Sequence, residues 1–492
     1  MQTLKKVINS KYVELLLILL ILILGFGVRL WKIKTPIADW HSWRQVDTAS
    51  VTKIYVQNGI NLLKPQYYDI SKSQTGYFNP EGLRLVEFPI YNVIHALLVK
   101  SFPVFPIEVW GRLVSISCAV LSGLFMYLIG KRFLGKWGGL LSAFFFLFIP
   151  YNIYFTRVIL PEPMVITLAL ASLWFFVLFL ERDKFLFLIF SGIFFALSTL
   201  LKPFTFFYAL TFLYLAVDKY GLKKMLNDLR FYLFAAIAMI PFFAWRIYIN
   251  QFMEGIPHFD WAFNSDHIRF RPAFWRWLFG ERIGRLILGI WGMVPFAFGV
   301  VKAEKKNLFA HFLLLSGILY MTVLATANVR HDYYQVFLIP PISFLLAIGT
   351  KYLWEEKNLN LYLSRGVLGL SLFLMFGMGT YQVKEYYKIN HPEIIEAGKA
   401  VERLTPKDAR VIAPYNADTA FLYQTGRFGW PIVDNSFDYL ISKGADYYVS
   451  VNLGDADTQY VSHRFKTIEK TDQYIIMDLH QELPGFKEEI KK

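Results

Sequence analysis

The chain has 492 residues, 55% of them hydrophobic and 18% aromatic, with a formal charge of +14. Only 18% are charged, against about 25% in an ordinary soluble domain, and apolar residues recur in blocks of roughly 16–24, enough to cross a bilayer core of about 30 Å. These figures exclude a soluble globular protein, and the gathering of lysines into short loops excludes nucleic-acid binding as the reason for the positive charge.

In chain order, Lys5, Lys6 and Lys11 precede KYVELLLILLILILGFGVRL. Its apolar run is longer than that of a signal peptide and no small-residue cleavage site follows, so a retained first span is expected. Apolar blocks predict about eleven spans: 12–30, 107–130, 137–155, 163–181, 185–200, 203–217, 231–249, 285–301, 307–327, 335–354 and 366–382. FPIYNVIHALLVKSF, 88–102, is too short to span and is expected as a helix lying in the interface, with Pro89 in its first turn. The single cysteine, Cys118, lies in an apolar block, leaving neither a disulfide framework nor a cysteine metal site.

Lys131, Arg132 and Lys136 share one loop, Lys219, Lys223, Lys224 and Arg230 a second, and Lys302, Lys305 and Lys306 a third. Read as cytoplasmic loops, they place the amino terminus inside the cytoplasmic (plasma) membrane and loops 31–106, 156–163, 200–203, 250–284 and 328–334 outside. The more polar segment 383–492 then also lies outside. In it HPEIIEAGKAVERL reads as an amphipathic helix, and RVIAPY, DYYVSVN and YIIMDL as short strands. The expected architecture is an α-helical polytopic membrane region, 1–382, with helices beside the membrane in loop 31–106, plus a small extracytoplasmic α/β domain, 383–492. In that domain FLYQTGRFGW offers Tyr423, Arg427 and Trp430, which read as a packed aromatic turn or, alternatively, as a surface for stacking a sugar.

Charged residues stand out at the outer helix ends. In DWHSWRQVDTAS, helical spacing puts Trp43, Asp47 and Ser50 on one side, with Arg44 a turn before Asp47. The plain reading makes Trp40 and Trp43 interface anchors, Asp39 a helix cap, and Arg44 with Asp47 an exposed pair. Glu162, between two prolines, is the only acid from Gly138 to Leu180, and it reads either as a helix-dipole partner or as a cavity-facing functional group. Lys202 has no acidic neighbour in sequence, and Arg330 and His331 lead into DYYQVFLIPP. DHIRFRPAFWRW interleaves Arg269, Arg271 and Arg276 with rings, which lipid phosphates alone would explain. Acids and cations at several outer helix ends suit a reaction in which a hydroxyl attacks and a phosphate departs, with a carboxylate taking the proton and cations or a metal stabilising the leaving anion.

The pieces WRQVDTA, EFPIYNVIHALLVKSF, RVILPEPMVITLALASLWFF, LLKPFTFF and HDYYQVFLIPPISFLLAIG, in this order over about residues 10–350, resemble the GT-C glycosyltransferases. The likeness is to the protein O-mannosyltransferase and lipid A aminoarabinose transferase group (glycosyltransferase family 39-like). It implies inverting transfer of a sugar from a polyprenyl-phosphate carrier to a hydroxyl of a protein, lipid or glycan at the outer face. It assigns the catalytic base to Asp47 and a catalytic acid position to Glu162. Carrier-phosphate contacts fall on Lys202, Arg330, His331, Tyr333 and Tyr334, joined by Arg269 and Arg271, and Trp43, Arg44, Gln45 and Glu87 line the substrate cavity. A divalent metal ion, if used, would sit on Asp47 and Glu162. Many members have two adjacent acids where this chain has Asp47 and Thr48, and the aminoarabinose branch has a lysine near the proline of Glu87-Phe88-Pro89. The alternative functions are a flippase, or a ligase or polymerase, of lipid-linked saccharides. A flippase would spread its charges mid-helix and show repeat symmetry, which this sequence lacks.

Overall fold

All eleven apolar segments are largely helical in the computed structural model, which describes residues 11–485. Lys5 and Lys6 lie outside the described residues. Helix is what lipid demands, because every backbone N–H and C=O must find its partner within the segment. Among the described residues, seven helices are long and apolar enough to cross a membrane. They are Lys11–Arg29, Ile107–Phe148, Glu162–Arg182, Leu229–Ile249, Lys305–Val323, Asp332–Glu355 and Leu361–Tyr387.

Of the remaining expected spans, 185–200 is met in full and two are irregular. Phe185–Leu201 has 17 residues. Segment 203–217 begins as a tight helix, Pro203–Tyr208, because Pro203 interrupts the ladder after Lys202. Segment 285–301 joins a wide helix, Trp277–Ile287, to the short Met293–Val301.

Two expected spans, 107–130 and 137–155, fall largely on the two arms of Ile107–Phe148. Its backbone leaves helical geometry at Gly135, φ 79°. There the chain folds back on itself: a Cβ on Gly139 would sit 2.7 Å from the Lys131 amide nitrogen and the Tyr127 carbonyl oxygen. Only glycine allows that approach between antiparallel helices. Neighbouring helices are tied by small polar residues. Ser172 donates to the Ser191 carbonyl at 2.8 Å, and Ser191 to the Ser172 carbonyl at 2.9 Å. The first span ends on buried Arg29, which donates to Thr156 at 2.8 Å and to the carbonyls of Gly25 and Leu147.

The chain forms two compact units. One holds the chain up to Ile33, Gly111–Arg246 and Phe259–Tyr386; the other holds Lys34–Trp110, Ile247–His258 and the chain from Tyr387 on. The expected boundary at 382/383 needs correcting on one point: the first loop folds with the carboxy-terminal segment. That segment contains a five-stranded sheet in the order β2-β1-β3-β5-β4. The strands are β1 Val411–Ile412, β2 Gly429–Trp430, β3 Tyr447–Ser450, β4 Phe465–Lys470 and β5 Ile475–Glu482. β1 pairs parallel with β2 and β3, whereas β5 pairs antiparallel with β3 and β4.

The edge of β2 is covered by the first loop. Ile70 N–H donates to the Gly429 carbonyl and Gly429 N–H to the Tyr68 carbonyl, both at 2.9 Å. Ile70 joins Ile412, Trp430, Tyr448 and Met477 in one core. An uncovered strand edge is a liability, and this pairing removes it. β1, β3 and β5 fall on the three expected strands, and the expected amphipathic helix is Glu393–Leu404. β2, of two residues, and β4, a mostly exposed edge, carry too little pattern to be read from sequence.

Candidate active site

In the unit containing the sheet, helix Ser42–Asn58 starts after His41, whose φ of 54° turns the chain into it. Asp39 is not its cap: the Asp39 carboxylate accepts from the Gln45 amide at 2.7 Å. Nor does Arg44 pair with Asp47. Arg44 is buried and donates to Glu87, from the segment before helix Ile90–Ser101. Trp43 is half-buried, and its carbonyl accepts from Thr419 at 3.4 Å. Asn92, from helix Ile90–Ser101, fixes the middle of the first helix by donating to the Thr48 carbonyl at 2.7 Å.

Asp47 is 1% exposed. One carboxylate oxygen lies 2.7 Å from the Arg84 guanidinium, and the other accepts from the Thr419 hydroxyl at 2.7 Å. Arg84 lies over the Tyr67 ring, 4.9 Å from its centre, and the Tyr67 hydroxyl points to Asp69 at 3.5 Å. Thr419 opens helix Thr419–Thr425, capped by Asp418, which accepts from the Ala420 amide at 2.7 Å. Asp47 and Asp69 thus share a single arginine, and Asp418 feels the charge of Asp47. Burial pushes the Asp69 carboxyl up to about 7, the charge on Asp47 adds to this, and hydrogen bonds from Ser71 and the charge of Arg84 oppose it. Burial likewise raises Asp418 to about 6, again with Asp47 adding and the Ala420 amide opposing.

The other unit gathers a second set. Helix Glu162–Arg182 begins at Glu162, and Lys202 follows helix Phe185–Leu201; each is 6% exposed. Lys202 Nζ lies 3.5 Å from the Glu162 carboxylate, so the lysine without an acidic neighbour in sequence has one in space. Lys202 Nζ also lies 5.7 Å from the centre of the Phe204 ring, which meets Tyr334 edge-on at 5.6 Å. Tyr333 and Tyr334 are buried, and His331 stacks on Tyr333 at 5.7 Å. The structure therefore brings together Glu162, Lys202 and Tyr334.

Arg330 departs from the expectation of a desolvated cation: it is exposed, with its guanidinium 5.5 Å from the Trp261 ring centre. Arg269 is half-buried and donates to the Val323 carbonyl at 2.8 Å, while Arg271 is exposed. Asp332, between His331 and Tyr333, instead takes the buried polar role: its carboxylate accepts from the Tyr386 hydroxyl at 2.6 Å and faces Arg282 at 3.9 Å.

Among the described residues, no three or more His, Cys, Asp or Glu side chains gather as a metal site. Asp47 faces a guanidinium and a hydroxyl, and Glu162 an ammonium. Each acid already faces a cation, so neither fits a divalent ion as arranged. Sequence reasoning missed Arg84, Asp69 and Thr419. Asp69 had a signal, an acid within the otherwise apolar YYDI. Arg84 and Thr419 had none, since only long-range folding brings them to Asp47.

Residues 94–248 match the family model of the dolichyl-phosphate-mannose-protein mannosyltransferases. No curated protein matches the chain in sequence. Among solved structures, ArnT from Cupriavidus metallidurans bound to undecaprenyl phosphate superposes with a TM-score of 0.65 at 10% identity, covering 95% of this chain and 98% of that one. The Archaeoglobus fulgidus oligosaccharyltransferase in complex with Zn and sulfate superposes with a TM-score of 0.58 at 10% identity, covering 91% and 71%. Residues 94–248 thus resemble a mannosyltransferase family model, and the fold as a whole resembles those of ArnT and the archaeal oligosaccharyltransferase.

Proposed function

We propose that this chain transfers a sugar from a polyprenyl-phosphate carrier to a hydroxyl acceptor at the outer face of the membrane, with inversion at the anomeric carbon and Asp47 as general base. The observation that carries the reading is Asp47 itself, a buried carboxylate held at both oxygens by Arg84 and Thr419. A base must sit in one fixed position to collect a proton from an attacking hydroxyl, and these two contacts restrict it so. In the step, the acceptor oxygen bonds to the anomeric carbon, its proton passes to Asp47, and the bond from that carbon to the phosphate oxygen breaks. The electron pair leaves with the polyprenyl phosphate. In the other unit, Lys202, paired with Glu162 and with Tyr334 across Phe204, is a candidate contact for a carrier phosphate. The undecaprenyl phosphate bound to the superposed ArnT supports a carrier of this class. The lysine-rich loops support the outward orientation.

Purified protein in nanodiscs, offered polyprenyl-phosphate hexoses and pentoses with hydroxyl acceptors, should transfer sugar with inverted configuration. Asp47→Asn should lower the rate by about 100-fold or more while the protein still elutes as a folded species. Full transfer by that variant would remove Asp47 as the base.

A further inference from the structure

The unit containing Asp47 also holds a cleft of about 940 Å³ that the proposed chemistry does not use. We infer that it binds a neutral saccharide chain, the acceptor of the transfer; this rests on the glycosyltransferase reading above. Its place follows from two helices. Asp47 lies near the start of helix Ser42–Asn58, whose last residues, Gln57 and Asn58, line the cleft. Thr419, which touches Asp47, opens helix Thr419–Thr425, and Gly426 directly after it lines the cleft as well. At about 1.5 Å per residue, the cleft lies roughly 10–16 Å along these helices from the base. That is too far for the reacting hydroxyl, and suited to the units of a chain behind it.

The lining selects the ligand. The acids Glu81, Glu402 and Asp408 are matched in number by Lys407, Arg410 and Arg427, so the cleft has no net charge to attract a phosphate. Two of its three cations are also occupied. Arg427 donates to the carbonyls of Pro406, Thr405 and Glu402, and Arg410 to that of Lys443. What remains is a set of polar groups, the amides of Gln57 and Asn58 and the carboxylate of Asp408 among them, beside the rings of Tyr68 and Phe428. Such planar groups accept and donate in pairs, as a polyhydroxyl ligand requires. The Tyr68 hydroxyl is buried beside Gln57, with which it hydrogen-bonds. A peptide fits less well. The nearest strand edge, β2, is already paired with residues 68–70, which closes the route of strand addition.

Full-length protein in zwitterionic nanodiscs would be titrated calorimetrically with mannotetraose, cellotetraose and chitotetraose. Undecaprenyl phosphate and a serine- and threonine-rich peptide would be run in parallel. At least one tetrasaccharide should bind, and Gln57→Ala, at the cleft wall, should weaken it roughly five- to tenfold. Asn58→Ala and Asp408→Ala, at exposed positions, should do the same, with undecaprenyl phosphate binding unchanged in all three. Unchanged saccharide affinity in all three variants overturns the inference, as does binding of the peptide alone. Absence of any saccharide binding by protein that binds undecaprenyl phosphate also overturns it. Saccharide binding lost in the variants, in protein that ignores undecaprenyl phosphate, supports the cleft and overturns the lipid-carrier reading instead.

Discussion

Arg84 is one positive charge paired with Asp47 and acting on Asp69. Replacing one partner of a buried ion pair strands the other, at about 3–5 kcal/mol. Arg84→Ala should therefore lower the melting temperature sharply, whereas Arg84→Lys, which keeps the charge and loses the planar fork, should lower it less. Differential scanning fluorimetry in detergent checks both. Asp69 gives a pH signature. Its carboxyl stands at about 7 in the fold against 3.8 in a model peptide. Between those values the folded protein keeps a proton that the unfolded chain has lost, so stability falls as pH rises and levels off above about 7. Asp418, at about 6, acts in the same direction. Asp69→Asn should match wild type near pH 4 and melt higher than wild type above pH 7. Identical melting curves at both pH values would count against a protonated Asp69.

At the scale of elements, helix Thr419–Thr425 reaches Asp47, the proposed base, through one hydroxyl. Thr419→Val keeps the shape and removes the hydrogen bond, so Asp47 loses one of its two restraints. The rate of transfer should drop by roughly tenfold and the pH–rate profile should shift, with KM for the carrier unchanged. A purely structural role would leave the profile where it was. The hairpin within Ile107–Phe148 depends on Gly139, where a side chain has no room beside Lys131 and Tyr127. Gly139→Leu should force the helices apart and lower the yield of folded protein. Gly369, around which a Cβ would meet nothing within 4 Å, is the control position, and leucine there should be tolerated.

At the scale of the whole molecule, the orientation expected from the lysine-rich loops can be tested by labelling. Cys118, the only cysteine, is buried, so Cys118→Ala gives a background for labelling. In intact cells a membrane-impermeant maleimide should react with Asp408→Cys and not with Lys305→Cys; the reverse pattern would invert the topology and with it the face at which transfer occurs. Much of this was legible in the residues. Apolar blocks of spanning length had to be helices, because lipid offers the backbone no other partner. Glu162 and Lys202 stood out because ionisable groups are rare in such surroundings, and Asp47 because a tryptophan-flanked motif presented it.

Other features arise only when distant segments meet. The sequence pointed to Asp47, but the fold chose its partner: Arg84 rather than Arg44, which went to Glu87. The sequence marked Lys202 as unpaired, and helix packing supplied Glu162. The sequence separated the carboxy-terminal segment by its polarity, and the sheet then recruited the first loop to cover β2. By itself the sequence determined helix, span and the residue types able to carry acid–base and anion chemistry, since these depend on local periodicity and composition. Only tertiary structure decided which charges pair, which acids lie deep enough to hold a proton, and where a polar cleft opens, because burial and ion pairing depend on contacts between residues far apart in the chain.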